Sequence, residues 1–155
     1  MNNPQNNMNN MNNTDTTITN VEDTTDSAVP VTNPAINFDD FLKVKMAVGK
    51  VVSAEKLEKS PKLLRLSVDF GETEEFTDEA GEVSKILKPR QVLSGIAKTF
   101  QPEELVGKSF AFVVNLEPRQ IMGMESQAMI LAASDEQGLV LFSPTREIQA
   151  GSTLG

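Results

Sequence analysis

The chain has 155 residues, enough for one folded domain with a sizeable core, and carries 14 Lys plus Arg against 22 Asp plus Glu, a formal charge of −8. It contains no Cys, His, Trp or Tyr, which excludes thiol nucleophiles, disulfides, Cys/His zinc sites and any histidine triad or general base. No apolar run approaches the roughly 20 residues of a membrane-spanning helix, and the N-terminus lacks the basic and apolar regions of a signal peptide, so a cytoplasmic protein with no membrane partner is expected.

Residues Met1 to Ala35 hold no Lys or Arg, four acids (Asp15, Glu22, Asp23, Asp26) and a surplus of Asn and Thr. Such a low-complexity polar tract buries too little apolar surface to offset its ordering entropy, so 1–35 is expected to be a disordered tail and 36–155 the folded unit. The folded unit keeps all 14 basic residues and 18 acids, a balance of −4. Six of those acids crowd into Gly71 to Glu82, so the rest is nearly neutral and has room for a local basic face.

In chain order, Phe38 to Leu42 reads as a short helix and Val44 to Ala54 as a strand in which Gly49 marks a bulge or barrel corner. Lys62 to Phe70 alternates cleanly, with Leu64, Leu66, Val68 and Phe70 on one face and Arg65, Ser67 and Asp69 on the other, the signature of a half-buried strand. The acidic stretch that follows lacks the ligand spacing of a calcium loop and reads as a solvated hairpin excursion. Further β-rich stretches are Ile86 to Ile96, Ser109 to Leu116, Ala128 to Ala133 and Leu139 to Phe142. Pro102 to Val106 fits a short helix, with proline at its start and acids in its first turn. This pattern predicts an all-β barrel or sandwich.

Catalysis has little support. No glycine-rich loop leads into Lys-Ser/Thr, and the pairs Asp39-Asp40 and Glu103-Glu104 lack the apolar setting that would split their pKa values. Polar residues interrupt apolar strands at Gly49-Lys50, at Leu93 to Lys98 (LSGIAK) and at Asn115 to Met129 (NLEPRQIMGMESQAM). A polar group at a strand end serves a turn as readily as a ligand, and Asn115 or Ser94 fits either role.

The ordered set DDFLKVKMAVGKV, KLLRLSVDFG and QVLSGIAKTFQPEELVGKSFAFVVNLEPRQIMGMESQAMILAA resembles the tRNA-binding domain found at the C-terminus of bacterial methionyl-tRNA synthetases and in free-standing tRNA-binding proteins. The resemblance runs from Phe38 to about Gly155. It implies an OB-fold, a five-stranded Greek-key barrel with a short helix and C-terminal extension strands, whose open face binds nucleic acid. It implies a homodimer that takes tRNA by shape, serving a methionyl-tRNA synthetase catalytic subunit, with no catalytic site, cofactor or metal of its own. The residues it points to are Lys50, Ser94, Lys98, Asn115, Arg119 and Ser126, with Met129 also at a shared position; Arg90, just before Gln91-Val92, reads equally as an extra phosphate contact or as an exposed loop arginine. The cations suit phosphates and the hydroxyl and amide groups suit sugar 2′-hydroxyls or base edges, while Met129 is expected to pack the barrel. The chain departs from the family pattern at Ala47, Glu117, Gln120 and Met122, where relatives often carry cations, and most of the eight Phe are expected in the core. A rival reading on the same fold is a chaperone-like dimer that binds peptides through Met122 and Met124.

Overall fold

The computed structural model describes residues 33–155, so all but the last three residues of the expected tail lie outside the described residues. Within them the chain runs α1 (Phe38–Phe41), β1 (Met46–Leu57), β2 (Ser60–Asp69), β3 (Thr73–Thr77), β4 (Val83–Leu87), β5 (Arg90–Ser94), α2 (Pro102–Leu105), β6 (Ser109–Val113), β7 (Arg119–Ile121), β8 (Met124–Ser126), β9 (Met129–Ile130), β10 (Ala132–Asp135), β11 (Gly138–Leu141) and β12 (Thr153–Leu154).

The main sheet has the order β5-β2-β1-β6-β9, all pairs antiparallel. Its two ends meet where the Gln127 amide donates to the Gln91 carbonyl at 2.9 Å. Leu105 of α2 is buried among the core residues of this barrel, giving the five-stranded OB arrangement. β12 pairs with β1 (Met46↔Leu154, Ala47↔Thr153), occupying the edge that β2 abandons beyond Asp69. β10 and β11 form a separate hairpin, so the expected extension strands are present.

Alternation sets the inside. Leu64, Leu66 and Val68 of β2 and Val51, Val92 and Phe112 of neighbouring strands are wholly buried. Each such side chain contributes about 1.5–3 kcal/mol relative to exposure. Phe70 meets Phe112 edge-on, with ring centroids 5.2 Å apart. The polar partners in β2 (Arg65, Ser67, Asp69) face outward, as the sequence pattern requires.

Two local readings differ from expectation and one agrees. Ile86 to Ile96 is two strands rather than one, because Pro89 has no N–H to offer a ladder and separates β4 from β5. The acidic stretch is the solvated hairpin expected of it, β3–β4, with every strand residue exposed. The bulge falls at Val52, where the register steps from Val51↔Val68 to Ser53↔Ser67. Gly49 has a different reason: an added Cβ would lie 2.5 Å from Val68 Cγ1, 2.6 Å from Phe70 Cε1 and 2.9 Å from Phe112 Cδ2. Gly49→Ala is therefore expected to destabilise the domain by about 1–3 kcal/mol, the usual cost of overpacking. Urea unfolding checks this, and an unchanged midpoint would show that the aromatic pair can yield.

Candidate functional site

In a barrel of this kind the ligand face is the outer side of the second and third main strands, framed by the loop between strands one and two and the loop between four and five. Here those are β2 and β5, the turn after Leu57, and the 114–128 segment that folds into the β7–β8 hairpin. Two shallow grooves lie there. One, of about 330 Å³, includes Ser53, Glu55, Arg65, Ser67 and Gln91 in its lining. The other, of about 440 Å³, runs from Glu55 to Lys59 and is closed by Met122 and Met124 of the hairpin.

The motif residues separate into those that build this face and those left free upon it. Ser126 is buried. Its Oγ accepts from the Leu93 amide at 3.0 Å and donates to the Ala128 carbonyl at 3.2 Å. Its hydroxyl is thus spent on seating the hairpin against β5. Asn115 spans two backbone groups: Oδ1 accepts from the Lys45 amide (2.7 Å) and Nδ2 donates to the Lys43 carbonyl (2.6 Å). This amide fixes the approach to β1.

Arg90 uses all three guanidinium nitrogens within the protein. Nε and Nη2 donate to the Glu72 carboxylate, Nη1 donates to the Val114 carbonyl at 2.7 Å, and the guanidinium lies 5.5 Å from the Phe70 ring centroid. Hydrogen bonding from Arg90, more than its charge, holds the Glu72 carboxyl below the usual 4.5, against a smaller upward push from burial. The same bond raises the Arg90 pKa. Ser126, Asn115 and Arg90, expected as ligand contacts, are thus groups that position the loops of this face. The sequence named their places but not their partners.

Ser94 pairs with the wholly buried Leu64 and so turns to the core side at the rim of β5. Lys98 is exposed beside the start of β2, since the neighbouring Ala97 amide donates to the Lys62 carbonyl at 3.1 Å. Arg119 is exposed on β7 opposite Ser126. Among the described residues, Lys98 and Arg119 make no ion pair, and neither do Lys56, Lys59 and Lys62 around the β1–β2 turn. Sequence reasoning missed those last three, although three lysines in and around the Glu58-Lys59 turn are a readable signal.

Lys50 does not join this group. It stands on β1 opposite Asp69 and Ser109, seven residues or roughly 20 Å of strand from Leu57. There it lines a separate cleft with Lys108 and Arg146. The expectation for aromatic and Met residues also needs correction. Phe38, Phe41, Phe76 and Phe142 are exposed, so only half of the Phe are drawn inward, and Met129 is 48% exposed rather than packed in the barrel.

A family model described as a tRNA binding domain matches residues 46–153. The methionine–tRNA ligase of Helicobacter pylori (strain J99) is 43% identical over 129 residues, covering 83% of this chain and 18% of the ligase. That of Methanosarcina mazei is 42% identical over 124 residues, covering 79% and 15%. The chain thus spans less than a fifth of these curated relatives. Among solved structures, a MetRS related protein from Pyrococcus horikoshii aligns with a TM-score of 0.65 at 36% identity, over 79% of this chain and 99% of that one. The CsaA chaperone of Bacillus anthracis aligns at 0.61 and 28%, over 79% and 100%.

The residues that position the loops make a stability prediction. Ser126→Ala and Arg90→Ala each strand a polar partner and are expected to cost about 1–3 kcal/mol in urea unfolding. Because the folded Glu72 pKa is depressed, the Arg90 contribution is complete above the unfolded-state value near 4.5 and fades as pH falls through the lower folded-state value. The stability gap between parent and Arg90→Ala should accordingly narrow below pH 4.5. A gap that persists undiminished at lower pH would mean Glu72 is not the partner that matters.

Proposed function

The chain belongs to the tRNA binding domain family, and from that premise we propose that it is a non-catalytic module that holds folded tRNA against the β2–β5 face and its flanking loops, in the service of a methionyl-type synthetase. The observation that carries this reading is the set of unpaired cations on that side of the barrel. Lys98 and Arg119 come with Lys56, Lys59 and Lys62, in a chain whose overall charge is −8. Cations without an acidic partner neutralise phosphates and so displace the counterions condensed on the nucleic acid, whereas Arg65 and Arg90 are already tied to Glu55 and Glu72. The ligase activity of the long relatives is not carried over, because the shared region is a minor part of their length.

A homodimer is part of the proposal, supported by the apolar surface at the start of the unit. Ile36, Phe38, Phe41, Leu42 and Val44 are all at least 41% exposed. Asn115 fastens this segment to the barrel beside the exposed Leu116. A second copy would bury it. The domain boundary at residue 36 and a cytoplasmic setting belong to the same reading.

A second reading has its own observation. Met122 is 53% exposed at the hairpin tip, and together with Met124 it walls an adaptable groove suited to peptides. It shares its fold with the CsaA chaperone. Calorimetry against bulk tRNA and against an unstructured peptide separates the two.

Arg119→Ala and Lys98→Ala are each expected to weaken tRNA binding about three- to tenfold, leave the melting temperature unchanged and lower the salt slope by about 0.7–0.9 per lost phosphate contact. Binding that ignores salt, or variants as tight as the parent, would remove this face from the function. In sedimentation equilibrium, Phe38→Glu should shift the chain towards monomer. A parent chain that is already monomeric at high concentration would end the dimer proposal.

A further inference from the structure

A cleft of about 760 Å³ lies away from the β2–β5 face, between β1, the turn before β6 and the 143–149 segment. The backbone builds its cationic wall. Val51 accepts from the Gly107 amide at 2.8 Å and donates to the Lys108 carbonyl at 2.9 Å, which sets Lys108 beside Lys50. Arg146 enters from the outer strand of chain, with Nη1 donating to the neighbouring Glu147 carbonyl at 3.1 Å. Among the described residues none of these three cations is ion-paired. Two acids share the cleft, and one of them, Glu104, is committed to capping α2 by accepting from the Gln101 amide at 2.7 Å. The floor is apolar and aromatic, with the half-buried Phe100 beside Phe110 and Ile148.

Three cations against two carboxylates, one of which also caps α2, leave a net charge of +1 around the cleft on an acidic protein. A ligand of matching chemistry is anionic and has a flat apolar part. A nucleotide within a strand meets both conditions, because phosphates flank each base and any base stacks on an aromatic ring. An acidic peptide supplies charge but no obligatory ring. The volume lies within the range of small-ligand clefts. We propose that this cleft is a second RNA contact, taking one unpaired nucleotide of the bound tRNA with its phosphates on Lys50, Lys108 and Arg146 and its base against Phe100. This rests on the tRNA reading above but places a contact outside the face that reading uses.

The test uses the full chain. Adenosine 5′-monophosphate titrated into the unmodified protein is expected to shift the backbone NMR signals of Lys50, Phe100, Lys108 and Arg146, more than adenosine or inorganic phosphate does. Separately, the double variant Lys108→Glu/Arg146→Glu, at two exposed positions, is expected to bind tRNA about tenfold more weakly with a salt slope lower by about one to two units. Signals that stay put with adenosine 5′-monophosphate, or that respond more strongly to a Glu-rich peptide, would overturn the proposal. So would a double variant that binds tRNA like the parent while Arg119→Ala weakens it, and that outcome leaves the β2–β5 reading standing. If neither variant changes tRNA binding, both readings fall together.

Discussion

An open strand edge is the problem this barrel has to solve, and the bond from the Leu93 amide to Ser126 Oγ is where it does so. Buried amides without partners cost several times what a made bond returns. Beyond β2, the edge of β5 finds no full strand. It meets a corner, in which Ser126 and Gln127 satisfy Leu93 and Gln91 with one hydroxyl, one side-chain amide and one backbone pair. The Gln91 side chain answers by donating to the Glu125 carbonyl at 2.8 Å. Everything that the β7–β8 hairpin presents, from Arg119 to the Met122 tip, is held in place through that corner.

Arg90 performs the corresponding task at the other end of β5. It joins the root of the acidic hairpin at Glu72, the exit of β6 at Val114 and the Phe70 ring of the core. The acidic excursion is thereby anchored at the barrel wall, with Lys88 within 3.5 Å of Glu74 as a second, exposed tie. A surface pair of that sort adds little stability. The partly enclosed Arg90 network carries more, since three donors share two acceptor groups out of bulk water. Its position explains how the other five carboxylates of the stretch can project from a barrel that is expected to attract phosphates. They are borne outward on β3–β4, away from the β1–β2 turn where the lysines gather.

The sequence made the core strands legible because KLLRLSVDF has only one side that can be buried, and the observed inside follows it residue by residue. It made the motif positions legible too, but not their roles. Ser126, Asn115 and Arg90 are polar residues in the right places for a ligand, and their partners are backbone groups 33, 70 and 24 residues away. No local pattern encodes such distant backbone acceptors and donors. Lys50 belongs to the same motif pattern as Lys98 and Arg119, yet strand length carries it to another part of the surface. The exposed Phe residues follow the same rule: side-chain chemistry favours burial, whereas α1, the β3–β4 hairpin and the exit of β11 carry Phe38, Phe41, Phe76 and Phe142 on exposed surface.

The pairing of β12 with the first residues of β1 has a mechanical consequence. Met46 lies opposite Leu154 and Ala47 opposite Thr153, so the chain enters and leaves the barrel at neighbouring points and in opposite directions. A tension applied across both ends loads these rungs one after another, as in opening a zipper, instead of shearing them at once. Under pulling, the terminal clasp is the weak element and yields at low force, exposing the flank of Val48 while β2, β5 and β6 remain assembled.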